Sequence, residues 1–373
     1  MRFGVLVGLL FTLVGCGQLE SDRPTAKHPS TSEQAPNNDV VAVADALASN
    51  AANGVVQKKP APGEPFDLDY IPGDAFAVLA VNARRAFQSQ ALGSLPYEEL
   101  FSGSLEAWSF DPRDVEHWLL FFTPPVEGEP LDMPYSPGAV MRFVKPVDGK
   151  KLIATRGATK LVRLGGKPCY VQEVQPSTAF HVADERTIVF AAEKQLEKML
   201  ATKAGAQSAL VGHIGMPGRE FDLRLAIDVE ALSPIVKSLA GAQGQQTPAA
   251  MTPYLRAFDD ISAITATADF SGEQLLSASI EARGPEAAQR LHQLARQSVP
   301  LVQVGYASIR AQILRNWVEE AAQGVLSVTD SMMARAAVRY EPTSIQLDIS
   351  RPPQIDDLGR RLQTALHRNS VTR

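Results

Sequence analysis

From residue 67 onward, apolar residues recur along the chain in two rhythms, one fitting strands and one fitting helices. Ala75 to Val81 is an unbroken apolar run behind the turn cluster Tyr70-Ile71-Pro72-Gly73-Asp74, which suits a strand covered on both faces. Ala83 to Leu92 then reads as a helix, with a second helical piece at Pro96 to Phe101. His117 to Thr123 is another apolar strand, and Gly138 to Val144 is its partner across the Pro/Gly/Glu-rich loop Val126 to Pro137. A short helix is expected at Asp148 to Thr155. A meander follows over Cys169 to Val174, Ala179 to Ala183 and Thr187 to Ala192, turning at Asp184-Glu185-Arg186. Glu193 to Ala201 closes this stretch as a helix with Leu196, Met199 and Leu200 on one side.

A second series starts at Phe221. Phe221, Leu223, Leu225, Ile227 and Val229 alternate with Asp222, Arg224, Ala226 and Asp228, the period of two of a strand with one wet face. Ala231 to Ala240 is helical, Gly241 to Thr247 is a Gly/Gln loop, and Pro253 to Phe258 adds a helical turn. Ile261 to Phe270 and Gln274 to Ala282 form a hairpin over Ser271-Gly272-Glu273. Pro285 opens a helix at its first position, where no amide donor is lost, with Leu291, Leu294 and Ala295 inward. Beyond Pro300, the residues Val302, Tyr306, Ile309, Ile313, Trp317 and Ala321 recur at helical steps. Their stripe fits a core face, or a partner's surface if the helix lies outside the shared plan. Ala334 to Tyr340 and Ser344 to Ser350 form a last hairpin, and Asp356 to His367 a terminal helix burying Leu358, Leu362 and Leu366.

Both series run strand, helix, two strands, helix, hairpin, helix, and the second carries an extra helix near 302–325. The expected fold class is therefore α+β, built as two similar units of antiparallel sheet with helices on one face. The units span 67–205 and 221–373, joined by a Gly-rich linker at 206–220. The shared order of elements suggests an internal duplication. One continuous, curved antiparallel sheet is the rival arrangement. The opening Pro72-Gly73-Asp74-Ala75 resembles the start of the body in uncharacterised exported bacterial proteins, which implies no activity.

The start of the chain has a different character. Arg2 supplies a positive charge, Phe3 to Val14 is apolar or small throughout, and Gly15 precedes Cys16. That is the order of an export signal. At about a dozen residues the run is roughly 18 Å long as a helix, too short for a ~30 Å hydrocarbon core. Leu13-Val14-Gly15-Cys16 resembles the lipobox of bacterial lipoproteins at all four positions. The resemblance implies that the signal peptide 1–15 is removed, that the Cys16 thiol receives diacylglycerol, and that the new amine is acylated, with palmitate-type chains as the anchor. Several chains hold far better than one, since each buried methylene is worth about 0.8 kcal/mol. An ordinary signal peptide with a coincidental cysteine would instead give a soluble exported protein. Gly17 is not the aspartate that retains enteric lipoproteins at the inner membrane, so the resemblance points to the outer membrane.

Residues 16–66 form the expected tether. Pro24, Pro29, Pro36, Pro60, Pro62 and Pro65 are scattered through it, and aromatic residues are absent from Gly17 to Pro65. It offers too little to bury to offset ordering entropy. As a flexible coil of about 50 residues it spans roughly 40 Å.

The chain has 45% hydrophobic and 21% charged residues, a globular balance. A formal net charge of -5 spread over 373 residues argues against a nucleic-acid binder, which would show a basic stripe. The doublets Arg84-Arg85, Lys150-Lys151 and Arg360-Arg361 read as solvated faces. There are two cysteines; with Cys16 committed to lipid, Cys169 has no intrachain partner. In the strand-like run Pro168-Cys169-Tyr170-Val171 it reads as a small buried hydrophobe.

Motif chemistry is thin. Gly166-Lys167 lacks the first glycine and the hydroxyl of a phosphate loop, because Leu161 and Pro168 stand in those places. Asp67-Leu68-Asp69 starts like a calcium loop, but Pro72 occupies the position that needs glycine. The histidines, His28, His117, His181, His213, His292 and His367, show no metal-ligand spacing, so neither metal nor cofactor is expected. His117 and His181 read as hydrogen-bonded structural residues within strands. The candidate ligand site is Gly212 to Glu220, where His213, Arg219 and Glu220 combine an imidazole, a cation and a carboxylate on flexible backbone. It could serve a small anionic ligand or acid/base chemistry between the units; a plain linker is the commoner use of such a stretch.

The function expected is a lipid-anchored exported protein, non-enzymatic, that binds or scaffolds at the cell envelope. Its partners are the membrane, through the anchor, and a protein. The alternatives are an exported hydrolase with a cleft between the halves and, more weakly, a carrier of an apolar ligand.

Overall fold

A computed structural model of the protein describes residues 66–93, 110–126, 135–147, 152, 159–172, 178–202, 208–215, 221–242, 252–297, 306–307, 310–311, 313–315 and 319–361. The signal, Cys16, the tether up to residue 65, the helical piece at 96–101 and the loop at 243–247 lie outside the described residues. So do most of the helix expected at 148–155, residues 302–305, 308–309, 312 and 316–318 of the helix expected near 302–325, and the end of the terminal helix beyond 361.

The first series contains β1 (Ala77–Val81), α1 (Ala83–Gln88), α2 (Gln90–Gly93), β2 (Val115–Thr123), β3 (Ser136–Phe143), β4 (Thr159–Leu164), β5 (Lys167–Gln172), β6 (Thr178–Val182), β7 (Thr187–Ala192) and α3 (Glu193–Ala201). After α4 (Leu210–Ile214), the second contains β8 (Leu223–Asp228), α5 (Val229–Ala242), α6 (Thr252–Asp260), β9 (Ile261–Ala268), β10 (Gln274–Ala282), α7 (Pro285–Gln297), α8 (Glu319–Arg335), β11 (Ala336–Tyr340) and β12 (Ser344–Ser350). Residues 355–361 are helical. The fold class is α+β. No helix among the described residues is long and apolar enough to cross a membrane.

Two separate sheets were the expectation, and the structure corrects it. The strands form one 12-stranded sheet in the order β11-β12-β10-β9-β8-β1-β2-β3-β7-β6-β5-β4. The seam is an antiparallel pair of β1 with β8, from Ala77 opposite Ile227 to Val81 opposite Leu223. Bonds from Asp228 N to Phe76 O (2.8 Å) and Asn82 N to Asp222 O (2.8 Å) extend it at both ends. The physical reason is the cost of edges: two sheets would each leave a row of unpaired backbone groups along an apolar strand, and pairing β1 with β8 removes both. Val78 and Ala226, opposite each other in this pair, are fully buried.

The repeat of element order has a spatial counterpart. From the seam outward, the first half runs β1, β2, β3, β7, β6 and the second runs β8, β9, β10, β12, β11. In each half the first three strands go outward in chain order, the last strand pairs with the third, and its hairpin partner lies beyond it. Among the described residues, the β4–β5 hairpin at the far end has no counterpart in the second half.

Burial differs between the halves. One face of the first half carries Val78, Ala80, Leu119, Phe121, Val140 and Val189, which pack with Leu196 and Met199 of α3 and with Leu210 and Ile214 of α4. The opposite face is apolar too, with Ile188, Phe180 and Phe190 buried. This two-sided cover is what the unbroken apolar runs predict. Gly138 is required here: a Cβ on it would lie 2.4 Å from Phe121 Cζ and 3.1 Å from Met199 Sδ. In the second half β9, β10 and β12 bury chiefly one face, through Ile264, Ala266, Ala278, Leu347 and Ile349. Strand β8, expected to have one wet face, is instead buried on both, with Leu225 and Ile227 on one side and Arg224 and Ala226 on the other, where α4 covers it.

Local chemistry fixes the ends of elements. The Asn82 side chain caps α1 by accepting from Arg85 N at 3.1 Å, and Asp228 accepts from Ala231 N at the start of α5 (3.1 Å). Gly165 (φ 54°) and Gly166 (φ 79°) form the two-residue turn between β4 and β5, a geometry that side-chain-bearing residues rarely adopt.

Candidate binding surface

The open face of the second half is a lattice of short polar side chains. Cross-strand register places Thr267, Ser277 and Asp348 in one row, and Thr265, Ser279, Gln346 and Arg339 in the next. Each of those on β9, β10 and β12 stands beside at least one buried residue of its strand, Arg339 lies on β11, which buries none, and all seven are partly or fully exposed. Ser277 Oγ donates to Asp348 Oδ1 at 2.8 Å, and Arg339 pairs with the same carboxylate. Gln346 Nε2 donates to Ser279 Oγ (2.8 Å) and Ser344 Oγ (3.2 Å). These bonds hold the side chains in place before any ligand arrives, which lowers the ordering cost of binding. Such a surface suits a polar partner met by many hydrogen bonds. Among the described residues, no group of three or more His, Cys, Asp or Glu side chains is placed to hold a metal ion.

A second polar feature lies along α7. Gln289, His292, Gln293, Arg296 and Gln297 line a shallow groove of about 410 Å³. His292 Nε2 lies 3.2 Å from Ser344 O, so that nitrogen carries the proton and donates, and the ring meets Tyr340 edge-on at 4.8 Å. The Arg296 guanidinium sits over the same Tyr340 ring at 5.0 Å.

Of the site expected from sequence, only His213 is among the described residues. His213 lies in the short helix α4, not in a loop. Arg219 and Glu220 lie outside the described residues. Arg224 of β8 meets the end of this helix, where its Nη1 donates to the carbonyls of His213 (3.3 Å) and Ile214 (3.1 Å). Arg224 also stacks on Phe221 at 4.1 Å. It thereby satisfies the last carbonyls of α4, a structural task for a buried guanidinium. Sequence reasoning passed over Arg224 because it stands at a polar position of a clean alternation, where solvent exposure is the ordinary outcome.

Burial governs four further titratable groups, His117, His181, Cys169 and Asp67. Burial lowers the pKa of His117, and Arg142 and Arg186 lower it further against the opposing pull of Glu116. Its Nδ1 is buried without a hydrogen-bond partner, and its ring lies 4.7 Å from that of Phe66. His181 is likewise lowered by burial, while Nδ1–H donates to Pro168 O at 2.8 Å. The Cys169 thiol is fully buried and pushed up to about 11, mainly by burial, so it is protonated and unreactive at neutral pH. Asp67 is raised by burial and by the charges of Asp69 and Asp184, and its Oδ1 accepts from Asp69 N within a tight turn.

No family model matches the chain, and no curated protein matches it. Two solved structures of TP0453 align with it. Crystal form I is 8% identical over 81% of this chain and 98% of its own, with a TM-score of 0.39. Crystal form III is 10% identical over 81% and 97%, with a TM-score of 0.37. Similarity at this level transfers neither fold nor function.

Proposed function

We propose that the protein is exported, anchored by lipid at Cys16, and acts without catalysis as a binding or scaffolding protein at the cell envelope. The observation that carries this reading is Leu13-Val14-Gly15-Cys16 at the end of an apolar run behind Arg2. A Pro-rich stretch between that cysteine and the first strand suits a stalk. Binding is favoured by the polar lattice of β9, β10, β12 and β11, which offers many hydrogen-bonding groups on a broad sheet. Gly17 in place of an aspartate favours the outer membrane. The repeated strand order supports descent of the two halves from one duplicated unit.

The test is fractionation of cells producing the Cys16→Ser chain. The anchored reading expects loss from the membrane fraction and recovery in the soluble envelope contents. Unchanged fractionation would dispose of it.

A further inference from the structure

The two ends of the sheet are guarded differently. Strand β4 closes one end with exposed Lys160 and Arg163, the ordinary protection of an edge. Strand β11 closes the other, and among the described residues no strand lies beyond it. It reads Ala336-Ala337-Val338-Arg339-Tyr340, without lysine or proline, buries none of these residues, and keeps an unshifted register against β12. Its one charge, Arg339, is paired with Asp348 of β12. The hairpin fixes which backbone groups face out. Glu341 and Ser344 exchange both bonds, Glu341 N to Ser344 O at 2.9 Å and Ser344 N to Glu341 O at 3.4 Å. In an antiparallel ladder such bonded pairs alternate with non-bonded ones. Arg339 and Ala337 therefore bond to β12, while Ala336, Val338 and Tyr340 turn their N–H and C=O groups to the open edge.

An edge of this kind accepts a further strand, and its own residues complement themselves. Two copies of β11 related by a two-fold axis run antiparallel, and outward residues must face outward residues. Few registers satisfy this. Centring on Ala336 runs each copy into α8 of the other, and centring on Tyr340 sets Val338 against Pro342, which has no N–H to give. Centring on Ala337 sets Arg335 against Arg339 of the second copy, and centring on Arg339 sets that arginine against itself. Centring on Val338 sets Arg335 against Glu341, Ala337 against Arg339 and Ala336 against Tyr340. Opposite charges then meet, and each large side chain of the strand faces an alanine. Arg335 and Glu341 are both exposed, and neither has an ion pair among the described residues. Glu341 is held at the turn by Ser344 Oγ, which donates to its Oε2 at 3.0 Å. We propose that β11 pairs with β11 of a second copy about a two-fold axis at Val338, joining two 12-stranded sheets into one. This goes beyond the anchored reading and does not require it.

The experiment uses the full chain purified in detergent. One preparation carries Ala337→Cys and another Arg339→Cys; in the proposed register these form a non-bonded pair with Cα atoms about 4.5 Å apart, within reach of a disulfide. Oxidised together they should link about tenfold more than either variant alone, because each position meets its own copy only on the diagonal, about 7–8 Å away. The parent chain, oxidised alongside, reports any link through Cys16 or the buried Cys169, and only the excess above it counts. Adding Arg335→Glu to both preparations, or Glu341→Arg, should lower linking about tenfold, and the two changes together should restore it. Val338→Pro removes the central outward N–H and spares the bonds to β12, so it should abolish linking with circular dichroism unchanged. Should that variant lose structure, the charge exchange decides. Mixed and single cysteine variants that link equally overturn the register, as does a charge exchange that fails to rescue. No linking above the parent overturns the self-pairing outright, in favour of an extended segment of another protein.

Discussion

Arg85 Nη1 donates to Asp222 Oδ1 at 3.2 Å, tying the first helix of one half to the entry of the first strand of the other. The same guanidinium reaches Asp269 Oδ1 at 3.1 Å through Nη2. Asp222 is fully buried, and burial raises its pKa against the lowering effects of the Phe270 N–H and Arg85. At Asp269 burial also pushes upward, but the Ser271 N–H, Arg85 and the Gly272 N–H together outweigh it and leave the carboxyl lowered. Arg85 is thus the clamp beside the β1–β8 seam.

Removing that clamp strands a buried carboxylate. Arg85→Ala is expected to cost about 3 kcal/mol, the scale for breaking a buried pair on one side. Arg339→Ala, which breaks an ion pair whose arginine is 66% exposed, should cost under about 1 kcal/mol. Urea unfolding of the two variants checks the contrast, and equal losses would contradict it.

Gly138 tests the packing of the first half. Gly138→Ala would press a methyl against the Phe121 ring, and a loss of about 1–3 kcal/mol is expected. At Gly212, within α4, an added Cβ meets nothing within 4 Å, so Gly212→Ala should be neutral or stabilising by up to about 1 kcal/mol. Thermal melts of both variants decide this.

Two histidines make stability depend on pH. His117 and His181 have folded pKa values below the ordinary 6.5, so near neutral pH the unfolded chain binds more protons than the folded one. Their contribution is full above 6.5 and falls as pH drops through the window down to the folded values. Asp67 and Asp222, raised from 3.8, act in the opposite sense at lower pH: their burial is least costly once they are protonated. Stability should therefore decline between about pH 7 and about pH 5.5, and a His117→Phe/His181→Gln chain should decline less steeply. Urea midpoints across that range measure it; an unchanged slope in the double variant would contradict the assignment.

The hydrophobic rhythm was enough to place most strands and hairpins. The alternation from Phe221 to Val229 became β8, although its expected wet face is buried at Asp222, Arg224 and Ala226, and the hairpins at 261–282 and 336–350 stand within a few residues of the expected places. Leu196, Met199 and Leu200 face inward as read. The joining of the halves was not legible, because local periodicity says which face of a strand is buried and nothing about a partner some 150 residues away. Strand β4 was missed although a signal existed: Gly165-Gly166 between two strand-like runs is a two-residue hairpin turn. The polar lattice and the Arg85 clamp depend on that long-range register, so they became visible only with the sheet.

The anchor is tested most directly by mass spectrometry of the N-terminal peptide from protein isolated from membranes. The account predicts a chain that begins at Cys16, with a diacylglyceryl thioether on Sγ and an acylated amine. A chain that still carries residues 1–15, or one that begins at an unmodified residue, would contradict it.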